Sequence, residues 1–341
     1  MPQRFISELN TFKNIQQYIA EIGISRISNL SYLDESIDIK VYSAIRPSSK
    51  SLCVSMGKGF NDTSAKVGAC MESIESHYAE NMSKPDFIGS INELREKNYP
   101  FIDFDKLSKA VNISPDYKLE WYLGNWLLKK GSHYIPKNLL SLNSNILDNI
   151  LFGYNSSGLA SGNNFDEALT CSFLECIERD AEISGMKTSL TVQRKHLDKF
   201  TLSKNLDVKF FIFKNPFNLP VIAAYLIEQN PMFNRIIFKG TACHFNKEIA
   251  LQKAILEAWQ TKIGVISGTR DDLNDGHYLY RGKNQFLEYE ESINFSDIDS
   301  FDIGLDEQVN FIKKLLIQNN CDLLYYTFHA SVITVLKSFI L

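Results

Sequence analysis

The sequence predicts a mixed α/β fold, an α+β arrangement in which helices pack on β-sheet. Three observations lead there. Two regions read as paired strands, each pair runs straight into an amphipathic helix, and a third strand candidate reaches a third helix through a glycine- and serine-bearing loop. The recurring unit is sheet, short loop, helix.

The first pair comprises residues 37–45 (IDIKVYSAI) and 51–56, both rich in β-formers and separated by Arg46-Pro47-Ser48-Ser49-Lys50, whose proline and serines favour a turn. Gly57-Lys58-Gly59 then reads as a loop before a helix that begins near Thr63-Ser64. The second group has a strand over 208–213, then 219–227 (LPVIAAYLI) and 235–244 (RIIFKGTACH) joined by a polar loop. The third strand candidate, 150–154, enters its helix through residues 155–164. No low-complexity linker interrupts the chain, so a single domain over 1–341 is expected.

At 341 residues, 44% hydrophobic and 22% charged, the chain is long enough for a substantial core, which excludes a disulfide-stapled miniprotein or a disordered tail. A net charge of −4 argues against nucleic-acid binding through bulk charge. The start, Met-Pro-Gln-Arg-Phe-Ile-Ser-Glu, has no basic segment followed by an apolar run, and no stretch approaches the roughly 18 apolar residues of a membrane helix, so a cytoplasmic protein is expected. The six cysteines form no CxxC pair, which favours small buried hydrophobes over zinc ligands or disulfides.

The three helices share a pattern. Met71-Glu72-Ser73-Ile74-Glu75, Leu174-Glu175-Cys176-Ile177-Glu178 and Leu256-Glu257-Ala258-Trp259-Gln260 each read apolar, Glu, any, apolar, Glu or Gln. At about 100° per residue, the apolar pair faces the core and the polar pair stands at the edge of that stripe, half-buried. One such pair is ordinary on an amphipathic helix; three, each downstream of strand-like sequence, point to a carboxylate-lined cleft. Unit charges at ~4 Å repel by about 4 kcal/mol at an effective dielectric of 20, so the cluster demands cations. Hard oxygen donors suit Mg²⁺, which shares its remaining sites with phosphate oxygens and thus points to a nucleoside triphosphate.

Basic residues complete such a site: Lys58, Arg179 after the second glutamate pair, Lys262 two residues past Gln260, and Arg270 in Ser-Gly-Thr-Arg-Asp-Asp. Arg179 and Lys262 are equally placed to pair with helix glutamates. Ser161 and Asn163, in Gly-Leu-Ala-Ser-Gly-Asn, read either as loop and capping residues or as ligand contacts at a helix start. Neither GxxxxGK[ST] nor GxGxxG is present, which removes the main support for P-loop and dinucleotide-binding readings.

Taken in order, Gly57-Lys58-Gly59, Glu72-Ser-Ile-Glu75, Gly158-Leu-Ala-Ser-Gly-Asn163, Glu175-Cys-Ile-Glu178-Arg179, Glu257-Ala-Trp-Gln260 and Ser267-Gly-Thr-Arg270 closely resemble the motifs of the YcaO family over roughly residues 20–335, and within it the TfuA-associated branch. The resemblance implies ATP and Mg²⁺ as cofactors, a precursor peptide or protein as substrate, and phosphorylation of a backbone amide oxygen while a nucleophile adds to the carbon. A sulfide donor then gives a thioamide, the product linked to this branch, with a TfuA-like partner protein; a Cys, Ser or Thr side chain gives an azoline. It further implies Glu72, Glu75, Glu175 and Glu178 as metal ligands, Lys58, Asn163, Glu257, Gln260 and Lys262 as nucleotide contacts, and Arg179 and Arg270 as catalytic phosphate partners. Neither nucleic acid nor membrane is an expected partner, and a symmetric homodimer is the default assembly. Lys262 stands where arginine is usual, and the C-terminal end is shorter than usual. The competing expectation is a catalytically impaired scaffold that binds nucleotide or peptide.

Overall fold

The computed structural model describes residues 4–102, 114–143, 155–200, 206–230, 234–269 and 291–341. In chain order, the first half contains α1 (Glu8–Glu21), β1 (Arg26–Asn29), β2 (Lys40–Ile45), β3 (Val54–Gly59), α2 (Asp62–Glu80), β4 (Phe87–Gly89), α3 (Ile91–Glu96), β5 (Leu119–Trp126), β6 (Ser132–Pro136) and α4 (Lys137–Leu140). The second half contains β7 (Leu159–Gly162), α5 (Phe165–Ser184), β8 (Lys187–Thr191), β9 (Leu206–Phe213), β10 (Val221–Asn230), β11 (Asn234–Cys243), α6 (Lys247–Ser267), β12 (Ser292–Asn294), α7 (Gln308–Gln318), β13 (Leu323–Ala330) and β14 (Thr334–Ile340). The chain divides into two compact units, one of residues 1–47, 52–73 and 177–307, the other of 48–51, 74–176 and 308–341. Two of the divisions fall inside α2 and α5.

The first unit holds two sheets. One is antiparallel, in the order β1-β2-β3; the other runs β11-β10-β9-β8-β12, antiparallel except for the β8–β12 pair. Strand β10, paired on both sides, is apolar along most of its length because both its faces are buried, and Ile222, Ala224 and Leu226 pack with Ala254, Ala258, Trp259 and Ile263 of α6. The close approach of α6 to β11 depends on Gly240. A Cβ there would lie 2.1 Å from the Ala258 nitrogen and 2.4 Å from the Ala254 oxygen, helix backbone that has nowhere to move. Gly240→Ala is therefore expected to destabilise this unit by about 3 kcal/mol, read as a lower urea midpoint at unchanged slope.

The second unit is built on one six-stranded sheet, in the order β4-β5-β13-β14-β7 with β6 paired to β5. Trp121 and Tyr122 alternate across β5 into two clusters, Trp121 with Ile91 and Leu94, Tyr122 with Ile135 and Leu324. The buried Trp121 indole N–H donates to the Gly89 carbonyl at 2.8 Å.

Several expectations hold with small shifts. The strands expected at 37–45, 208–213, 219–227 and 235–244 correspond to β2, β9, β10 and β11, and all three helices form. Two expected loops contain strands instead. Gly57-Lys58-Gly59 is the end of β3, where glycine is needed because a Cβ on Gly57 would meet the Ala65 oxygen at 2.1 Å. Within 155–164, residues Leu159–Gly162 form β7, paired to β14. The strand expected at 150–154 lies outside the described residues.

Candidate functional site

The three glutamate-bearing helices begin alike. The Asn61 side-chain oxygen accepts from the Ser64 N–H at 2.8 Å, Asn164 from Glu167 at 2.9 Å, and Asn246 from Glu248 and Ile249 at 2.9 and 3.2 Å. Four residues on, the N–H of Ala65, Ala168 or Ala250 bonds the same asparagine's carbonyl. Glu72, Glu175 and Glu257 each follow their cap by 11 residues, about three helical turns, so each returns to the face on which its helix begins. The cap fixes the register and the register places the carboxylate.

In the first unit, two sheet-end strands each give a backbone N–H to a glutamate. The Met56 N–H of β3 donates to Glu72 Oε2 at 3.0 Å, and the Cys243 N–H of β11 donates to Glu178 Oε2 at 3.1 Å. Glu178 is only 9% exposed. Glu72 departs from the half-buried expectation and is exposed, because its carboxylate leans on the open edge of β3. Lys58 Nζ pairs with Glu257 Oε2 at 3.2 Å, both side chains part-buried, and Gln260 stands one turn further along α6. Arg179 Nη1 donates to Glu182 Oε2 at 3.0 Å and lies 3.6 Å from Glu178 Oε1. Burial opposes the charge of Glu182, yet Lys239, Thr241 and Arg179 hold its pKa below the usual carboxylate range.

Lys262 requires a correction. It lies five residues beyond Glu257, about 140° around α6, and that rotation turns it into the interior. There it is 1% exposed, with Nζ 2.6 Å from Asp34 Oδ2 and 3.2 Å from Glu228 Oε2, over the Trp259 ring. Its charge is already matched by two carboxylates, so we assign it to the core and not to phosphate. Arg270 lies outside the described residues.

In the second unit, Glu75 Oε1 accepts from the Ser161 hydroxyl of β7 at 2.5 Å. The backbone and side-chain nitrogens of Asn163 both donate to Glu167 Oε2 at 2.8 Å, and because a carboxylate only accepts, this fixes which way the Asn163 amide faces. Glu175 is half-buried on α5. Glu167 and Glu182 were missed in the sequence, although each carries a signal: Glu167 stands at the third helical position after Asn164, where a capping glutamate belongs, and Glu182 continues the Glu175–Glu178 row by one turn.

The glutamates of α2 and α5 are an all-oxygen donor set, which fits Mg²⁺ rather than a softer metal. Among the described residues no group of three or more His, Cys, Asp or Glu side chains is preassembled for a metal. Among the same residues no helix is long and apolar enough to cross a membrane.

Comparison with known proteins gives a consistent assignment. Residues 56–331 match the family model described as YcaO cyclodehydratase, ATP- and Mg²⁺-binding. A protein in the tfuA 3′ region of Rhizobium leguminosarum bv. trifolii is 26% identical over 296 residues, 81% of this chain and 70% of that protein. Among solved structures, YcaO from Methanopyrus kandleri bound with AMPPCP and Mg²⁺ superposes with a TM-score of 0.76 at 18% identity, over 98% of this chain and 91% of that one. A heterocyclase in complex with substrate and cofactor superposes at 0.79 with 15% identity over the whole of this chain, which spans about half (52%) of the heterocyclase chain. At such identities the structures establish the shared fold.

Proposed function

We infer the activity from one premise: this chain belongs to the YcaO family, whose members are ATP- and Mg²⁺-binding. The proposed reaction is activation of a peptide backbone amide by O-phosphorylation, followed by thioamide formation with a sulfide donor. The ATP γ-phosphoryl group passes to the amide oxygen as its bond to the β–γ bridging oxygen breaks and ADP leaves, sulfide adds to the carbon, and the oxygen departs as phosphate with a sulfur in its place. Acting as one unit over 1–341 in the cytoplasm, the chain would modify a precursor peptide or protein with a TfuA-like partner. The relative in the tfuA region supports that branch, while the family description and the heterocyclase neighbour keep azoline formation as the alternative.

The observation that carries this reading is the pair of glutamate rows, Glu72/Glu75 and Glu175/Glu178, on helices whose asparagine caps set the same register. Glu72, Glu75, Glu175 and Glu178 are the proposed candidate Mg²⁺ ligands, and the ion would supply charge neutralisation for the phosphates. Lys58, poised on Glu257, and Arg179, poised on Glu182, offer cations that a phosphate can engage without leaving their carboxylates in an unbalanced interior. Asn163 and Gln260 contribute neutral contacts to the nucleotide, and Arg270 a further cation. No nucleophile from the protein is needed, since the chemistry is positioning and charge stabilisation.

The test is isothermal titration with Mg·ATP, followed by incubation with ATP, sulfide and candidate peptide. Binding is expected, and the peptide's mass is expected to change by exchange of oxygen for sulfur. Loss of one water instead would assign azoline formation. A chain that binds neither ATP nor AMPPCP would leave no basis for the proposed chemistry.

A further inference from the structure

Arg179 of α5 stands between two carboxylates of the first unit. Its Nη1 donates to Glu182 Oε2, one helical turn on, at 3.0 Å, and lies 3.6 Å from Oε1 of its chain neighbour Glu178, beyond hydrogen-bond reach. Strand β11 fixes both carboxylates from the other side. The Cys243 N–H donates to Glu178 Oε2 at 3.1 Å, while Lys239 Nζ and the Thr241 hydroxyl donate to Glu182 Oε1 at 2.5 and 2.6 Å. Lys239 and Thr241 are two residues apart in the strand, so their side chains leave the same face of the sheet and meet one oxygen. Glu182 is therefore engaged on both oxygens, one by the strand and one by the arginine. The Arg179 side chain stays 41% exposed, within reach of an incoming anion.

We propose that Glu182 is a positioning residue that holds Arg179 off Glu178, so that a divalent cation can engage Glu178 without displacing the guanidinium. A guanidinium bonded to Glu178 would oppose a metal ion at the same carboxylate, because both are cations competing for one negative charge. With Glu182 as the stronger partner, the arginine is kept close enough to meet the phosphate that accompanies the metal and far enough not to replace the metal. Glu182 acts here through Arg179 and is not itself a metal ligand. This rests on the ATP and Mg²⁺ reading above.

The experiment is a double-mutant cycle of Glu182→Gln and Arg179→Gln in the full chain, with Mn²⁺ as a paramagnetic probe of metal binding without nucleotide, beside titration of the native chain with Mg·ATP. Glutamine keeps the shape of Glu182 and can still accept a hydrogen bond, so what is lost is the charge that holds the guanidinium. Arg179 then turns to Glu178, and Glu182→Gln is expected to weaken Mn²⁺ binding about tenfold. Arg179→Gln alone removes a cation already held elsewhere and is expected to tighten Mn²⁺ binding only about twofold; in the Glu182→Gln background the same substitution should tighten it about tenfold and so restore it. That dependence on background separates positioning from the other roles: a carboxylate acting only through its own field would give equal effects in the two backgrounds, and a structural one would not be rescued by removing a second residue. Glu182→Met is a second neutral variant should Glu182→Gln not fold. Equal effects of Arg179→Gln in both backgrounds, or a native chain that binds Mg·ATP but not Mn²⁺ alone, overturn the role of Glu182 only. Loss of folding in both neutral variants makes Glu182 structural and does the same. Failure of the native chain to bind Mg·ATP overturns the nucleotide reading, and this inference with it.

Discussion

Glu175→Gln combined with Glu178→Gln is expected to reduce ATP-dependent amide modification by at least about a thousandfold while the chain stays folded. A glutamine has nearly the shape of a glutamate but carries no charge, so both members of the α5 row lose the property that attracts a divalent cation. Metal-assisted charge neutralisation supplies several kcal/mol of transition-state stabilisation, and about 4 kcal/mol is a thousandfold in rate. The fold should tolerate the change. With Glu178→Gln, the new side-chain amide oxygen still accepts the Cys243 N–H, and Arg179 keeps its shorter partner, Glu182 at 3.0 Å. The measurements are phosphate release, Mg·ATP titration and a thermal melt. Native turnover in a variant with native melting would show that these carboxylates are a solvated helix flank and nothing more. Collapse of the melt would instead make them structural.

The α5 row was legible because helical periodicity is local. Glu175, Glu178 and the apolar pair Leu174 and Ile177 lie within five residues, and a repeat in three helices lifts a common pattern above the ordinary. The β10–β11 hairpin of the first unit was legible for the same reason: its strands are long, rich in apolar residues and adjacent in the chain. The six-stranded sheet was not. Its strand β7 is four residues inside a stretch rich in glycine and serine, and it is a strand only because β14, near the other end of the chain, pairs with it. Strands β13 and β14 turn through Ser331-Val332-Ile333, without the glycine or asparagine that usually marks a hairpin. The site was legible in part for a parallel reason. Residue type and spacing pointed to the glutamates, but which cations face them depends on rotation about the helix and on distant segments. Lys262 illustrates this: it reads in the sequence as a phosphate contact and is tied in the structure to Asp34.

Lys262→Met is expected to destabilise the first unit by about 3–5 kcal/mol at neutral pH, with an effect that shrinks on acidification. Methionine fills the volume of the stem and keeps its contact with Trp259, so packing changes little. What changes is charge. Asp34 and Glu228, both part-buried, lose the ammonium at 2.6 and 3.2 Å, and two carboxylates are left facing a neutral stem without the charge that balanced them. The pH dependence follows from Asp34. Burial opposes its ionisation, but the Lys262 ammonium and the donors of Ser36 hold its pKa below the ordinary 3.8. In the native chain the folded state therefore binds this proton less readily than the unfolded state does. The stability from that depression is present above the unfolded pKa and is lost as pH falls through the folded pKa. In Lys262→Met the ammonium is gone while burial and the Ser36 donors remain, so the Asp34 carboxyl rises from its value in the native chain and protonation relieves the orphaned charge. Urea titrations at pH 7 and at about pH 4 should accordingly show the difference between variant and native chain narrowing at the lower pH. A difference constant across that range would mean that packing of the lysine stem, and not its charge, holds the loop of Asp34 to α6.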